Sequence, residues 1–116
     1  MLKLESLDPT SSFEDQLKQD TGPVTLVIIA SIPEGTFDQA VAKWKEDAEF
    51  MKHQPGYISA QLHRGTGDSS MLVNVAVWES TEALATAFGS PEFQRMAAEF
   101  SDDIVSYPHI FEQINV

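Results

Sequence analysis

The chain has 116 residues, seven of them basic and eighteen acidic, for a net charge of −11, and it contains no cysteine. That length suits one domain with a real core, and so acidic a surface repels phosphate backbones and anionic headgroups, so neither nucleic acid nor a membrane surface is an expected partner. Without cysteine there is no disulfide, thiolate metal site or thiol nucleophile, and the cytoplasm is the simplest compartment.

Residues 1–23 read as a polar lead-in without the apolar core of a signal peptide. Leu2, Leu4 and Glu5 allow a short edge strand. Ser12 is placed to cap a brief helix in which Phe13 and Leu17 meet at i, i+4, and Gly22-Pro23 ends it. Residues 24–116 then form the domain proper. Val24–Ile32 is a β-branched run, apolar on both sides, and much shorter than the roughly 20 residues of a spanning helix. After the Pro33-Glu34-Gly35 turn, Thr36 and Gln39 suggest a capping box. Phe37, Val41, Trp44, Ala48 and Met51 form one apolar helical stripe, with Lys43, Lys45, Glu46, Asp47 and Glu49 assigned to the solvated side. Gln54-Pro55-Gly56 stops that helix.

Tyr57–Arg64 alternates, with Ile58, Ala60 and Leu62 on one side and Tyr57, Ser59, Gln61 and His63 on the other. Gly65–Ser70 is a hairpin loop; its Gly65-Thr66-Gly67 lies between strands and is a turn, not a phosphate cradle. Met71–Trp78 places Leu72, Asn74, Ala76 and Trp78 on one face and Met71, Val73, Val75 and Val77 on the other. Ser80 or Thr81 opens a helix that Gly89-Ser90-Pro91 interrupts. Ser90 caps a new start with Pro91 in the first turn, and Phe93, Met96, Ala97 and Phe100 make its stripe. His109–Val116 is the last strand.

The order β-α-β-β-α-β is the split βαβ of ferredoxin-like α+β sandwiches, an antiparallel sheet with its helices on one face. Its first and third strands are apolar on both sides. Leaving such side chains in water forfeits roughly 1.5–3 kcal/mol each. Two copies are therefore expected to pack sheet against sheet as a homodimer, unless residues 1–22 cover the sheet within one chain.

No serine elbow, zinc-binding histidine pair or Walker loop occurs. His53 sits near a helix C-terminus and His109 after a proline, both in structural settings; His63 ends a strand beside the hairpin, within reach of a pocket mouth. Asn74 is the one polar residue in its strand. An unpaired carboxamide costs about 1–3 kcal/mol when buried, so its partner is either a structural group or a ligand.

Residues 50–64 (FMKHQPGYISAQLHR), Asn74–Ser80 (NVAVWES) and Ser90–Phe93 (SPEF) resemble the antibiotic biosynthesis monooxygenase family over residues 24–116. The resemblance implies a dimeric α/β barrel and, in some members, oxygenation of anthrone-type aromatics by molecular oxygen with no cofactor and no metal. It implies catalytic roles for Asn74 and Trp78, and apolar substrate walls at Leu84, Phe88 and Met96; His63, from its strand-end position, is the further substrate-binding candidate. The tyrosine that anthrone-type enzymes carry shortly after the tryptophan has no counterpart in Glu82-Ala83-Leu84. A haem-degrading branch uses a histidine on the second helix, and none lies between Arg64 and Pro108. Two other classes compete: a non-catalytic barrel that binds a small apolar ligand, and an isomerase with His63 as proton carrier.

Overall fold

One set of apolar residues two apart on the strands, and those three or four apart on the helices, turn toward a shared layer boundary in the computed structural model, which describes residues 3–116. The elements are β1 (Lys3–Leu4), α1 (Phe13–Gln16), β2 (Val24–Ser31), α2 (Phe37–Met51), β3 (Tyr57–Arg64), β4 (Met71–Trp78), α3 (Thr81–Phe88), α4 (Pro91–Ala98) and β5 (Val105–Phe111). They build a five-stranded sheet in the order β1-β5-β2-β4-β3. Four of the strands are the antiparallel ferredoxin-like set, and β1 adds a short parallel edge beside β5. Leu2, assigned with Leu4 to that edge strand, lies outside the described residues.

Leu26, Ala30, Leu72, Ala76 and Trp78 are buried beneath the helices. Val27, Ile29, Val73, Val75 and Val77 point the other way, are half-buried, and belong to neither core cluster. Residues 3–23, the described part of the lead-in, do not cover that second face. Phe13 packs on the helix side with Val24, Leu26 and Trp78, its ring edge-on to Phe88 at 5.5 Å. The Ser12 hydroxyl accepts from Asp15 N at 3.1 Å and caps α1. Gln16 then treats β5 as a missing strand would: its carboxamide donates to Ile110 O at 2.9 Å and accepts from Ile110 N at 2.9 Å. Together β1 and Gln16 satisfy backbone groups along an edge that would otherwise invite pairing with another chain.

Three expectations change. The last strand is Val105–Phe111 rather than His109–Val116, and Pro108 lies inside it opposite Ile28. Proline is tolerated because Ser106 and Ile110 direct their backbone groups outward, to Glu5 and Gln16, so the N–H that Pro108 lacks falls on the outer edge between them. Thr36 forms no capping box: with ψ near 7° its hydroxyl turns back and donates to Pro33 O at 2.9 Å. A register shift between Tyr57 and Ser59 places Tyr57 opposite Trp78, on the helix side, and leaves Ile58 51% exposed.

Gly56, in the turn just before β3, has φ +88°, and its carbonyl accepts from Glu79 N at 2.8 Å, tying the start of the strand to the approach to α3. A methyl group there would overlap Ala83 Cβ. Gly56→Ala is expected to cost roughly 2–4 kcal/mol, from left-handed backbone strain plus overpacking. Urea unfolding checks this: the midpoint falls while the m-value is unchanged.

Candidate active site

The core is divided in two. One cluster contains Val24, Leu26, Met51, Ala76, Trp78 and Leu84; the other contains Ala30, Ile32, Trp44, Leu72, Phe100 and Ile104. Ile28 touches both. A cavity of about 180 Å³ lies between sheet and helices, lined from both clusters. Ile28, Asn74 and Pro108 stand side by side across its floor, because β2 pairs Ile28 with both of the others. Trp44, Asp47, Ala48 and Met51 of α2 form the roof with Phe93, Gln94 and Ala97 of α4. Phe88 stacks on Phe93 at 4.6 Å, and both rings line the wall.

Asn74 follows Leu72 of one cluster and precedes Ala76 of the other on the same face of β4. Its carboxamide hydrogen-bonds to nothing among the described residues, yet no fully buried polar side-chain atom there lacks a partner. The amide therefore reaches cavity space. Trp78 is 1% exposed, with the Tyr57 ring edge-on at 5.5 Å. Both aromatic side chains line the cavity.

Asp47 corrects its assignment to the solvated side: it is 8% exposed and lines the roof. It lies three residues after Trp44 and four before Met51, in the middle of the buried stripe. Loss of water pushes its carboxyl up to about 7. Lys43 pulls the other way, but its Nζ lies 2.7 Å from Glu99 Oε2 and 3.7 Å from Glu46 Oε2, and those two carboxylates push Asp47 further up. No ion pair or hydrogen bond engages the Asp47 side chain among the described residues.

Of the residues singled out from sequence, Asn74, Trp78 and Phe88 meet at this cavity, and three do not. Leu84 is fully buried in the core with Trp78, behind the cavity surface. Met96 is half-buried one step around α4 from the lining stripe of Phe93, Ala97 and Phe100. His63 is exposed and pairs with Val73, on the opposite face of the sheet. Asp47, Tyr57, Gln94 and Ser106 join the site unanticipated. Spacing alone marks Asp47; Tyr57 depends on a bulge that alternation does not reveal. Among the described residues no group of three or more His, Cys, Asp or Glu is placed to hold a metal ion, and no helix is long and apolar enough to cross a membrane.

A family model for antibiotic biosynthesis monooxygenases matches residues 23–99. No curated protein matches the sequence significantly. Among solved structures, a candidate monooxygenase from Shewanella loihica PV-4 is 28% identical over 84% of this chain and 99% of its own, with a TM-score of 0.69. SnoaB, a cofactor-independent oxygenase from Streptomyces nogalater, is 24% identical over 83% of this chain and 97% of its own, with a TM-score of 0.76. A conserved protein from Methanosarcina mazei Go1 shares the fold at 11% identity, over 88% of this chain and 100% of its own, with a TM-score of 0.69.

The raised Asp47 pKa makes a stability prediction. Folding favours the protonated carboxyl, so the stability linked to this group is fully present below the unfolded value of 3.8 and is lost as pH rises through about 7. Asp47→Asn removes the titration. The variant is expected to match the parent near pH 4 and to exceed it by ~1–3 kcal/mol at about pH 8, a range discounted for water reaching the carboxyl through the cavity. Urea titrations across that pH range measure the divergence.

Proposed function

The chain belongs to the antibiotic biosynthesis monooxygenase family, and on that premise we propose that it oxygenates a small electron-rich aromatic substrate with molecular oxygen, using no metal or organic cofactor. The observation that carries this is Asn74, a carboxamide with no hydrogen-bond partner among the described residues, facing a largely apolar cavity beside Trp78. A phenolate or enolate can pass an electron to oxygen unaided, so the protein has only to bind, orient and stabilise charge. Asn74 donates a hydrogen bond to the substrate oxyanion. Trp78 forms the floor against which the ring packs. One oxygen atom becomes a new ring carbonyl; the other leaves as water with the hydrogens lost from the hydroxyl and the ring carbon. The likeness to SnoaB supports the absence of a cofactor.

Cavity size narrows the substrate. About 180 Å³ is little more than the roughly 150 Å³ of an engineered apolar cavity that holds benzene. A one- or two-ring phenol or quinol fits that space. A second copy of the chain covers the bare valine and isoleucine face of the sheet, completing a two-fold barrel. A cytosolic setting belongs to the same proposal.

Oxygen uptake tests the reading, with metal- and flavin-free protein and a dihydroxynaphthalene as substrate. Asn74→Ala and Trp78→Phe are each expected to lower kcat/KM about 10- to 100-fold. Rates unchanged in both variants would falsify the assigned site. A non-catalytic barrel would bind the aromatic and consume no oxygen.

A further inference from the structure

We infer that Asp47 is the general base of this site, taking the hydroxyl proton of the bound aromatic and so generating the anion that reacts with oxygen. The inference rests on the monooxygenase reading for its substrate class, and on independent geometry for the residue. Asp47 lies on α2 between Trp44, which belongs to one half of the core, and Met51, which belongs to the other. Asn74 lies on β4 between Leu72 and Ala76, which divide in the same way. The two polar groups therefore stand over the same gap, one in the roof and one in the floor, and both line the cavity. An aromatic held between them presents its hydroxyl to polar groups from either side.

A carboxylate in a largely apolar roof, with no hydrogen bond or ion pair among the described residues, does not serve folding, since an apolar residue would pack there at no desolvation cost. Its electrostatic surroundings keep it able to accept a proton. On its own helix Lys43 and Glu46 act on it, from beyond α4 Glu99 does, and Tyr57 shares the cavity from β3. Lys43 is held by Glu99 and Glu46, so it does not lock Asp47 into the ionised state. A base whose pKa lies near working pH combines the correct protonation state with adequate driving force.

The steps balance. The substrate O–H bond breaks, its proton passes to a carboxylate oxygen of Asp47, and the electron pair stays on the aromatic anion. One electron moves to oxygen, and the radical pair joins to form a ring C–O bond and a peroxide anion. The Asp47 carboxyl returns its proton to the distal peroxide oxygen. The ring C–H proton is then lost as the O–O bond breaks, and the departing hydroxide takes up that proton, leaving a carbonyl and water.

Two measurements test this. The first is the pH profile of oxygen uptake by the unaltered protein and by Asp47→Asn. The parent rate rises through about pH 7, and the variant loses about 100-fold or more in kcat together with that limb. The second needs no turnover: the absorption spectrum of a dihydroxynaphthalene bound anaerobically. The parent binds it as the anion below its solution pKa, whereas Asp47→Asn binds it neutral with affinity within about threefold. Asp47→Glu, which keeps the carboxyl, restores part of the ionisation. A parent that ionises the probe but consumes no oxygen upholds Asp47 as base and refutes the monooxygenase. A flat parent profile between about pH 5.5 and 8.5, or equal ionisation by parent and Asp47→Asn, overturns the role of Asp47.

Discussion

One row of residues governs this molecule. Where Ile28, Asn74 and Pro108 cross the sheet, the apolar packing that would run from Trp78 to Trp44 is interrupted, and the cavity occupies the interruption. Protein interiors are ordinarily packed as densely as organic crystals, so a gap of this size forgoes dispersion contacts and is retained against stability. The flanking half-cores are what make it tolerable. Each buries its own large aromatic, Trp78 against Tyr57 and Trp44 against Phe100.

Polar groups collect at that gap because a partly open cavity lets them be solvated at little cost. Asn74 and Asp47 occupy positions that pattern alone would fill with leucine or valine, and a carboxamide or carboxyl there is solvated only by whatever enters the cavity. The nearby charges act together with the gap. Lys43 bridges α2 to Glu99 just beyond α4, fastening the two helices of the roof while leaving the interior carboxyl unmatched. A structural ion pair and a functional carboxyl thus lie one helical turn apart, distinguished by which side of α2 meets water.

Much of the architecture was legible in the sequence. The alternation of β3, the eight-residue apolar run of β4 and the serine caps of α1, α3 and α4 set those elements at their observed places. The β5 boundary was not legible, because a proline reads as a strand breaker unless one knows that its nitrogen faces an edge. Nor was the orientation of Tyr57, which a bulge reverses. At the site, Asn74 announced itself as the one polar residue in an apolar strand. Asp47 was hidden by its own chemistry: a charge among Lys45, Glu46 and Glu49 looks solvated, although its spacing from Trp44 and Met51 matches the buried stripe. The general lesson concerns spacing. Helical phase is a firmer guide to burial than side-chain polarity, and a conflict between them points to function.

Stability of Asn74→Leu, measured beside its oxygen uptake, tests most directly whether the divided core exists for a ligand. If the carboxamide serves only what enters the cavity, leucine joins the two half-cores, raises stability by about 1–2 kcal/mol, and abolishes turnover. A variant that is less stable than the parent, or as active, would contradict the account, because Asn74 would then be holding the fold together rather than holding it open.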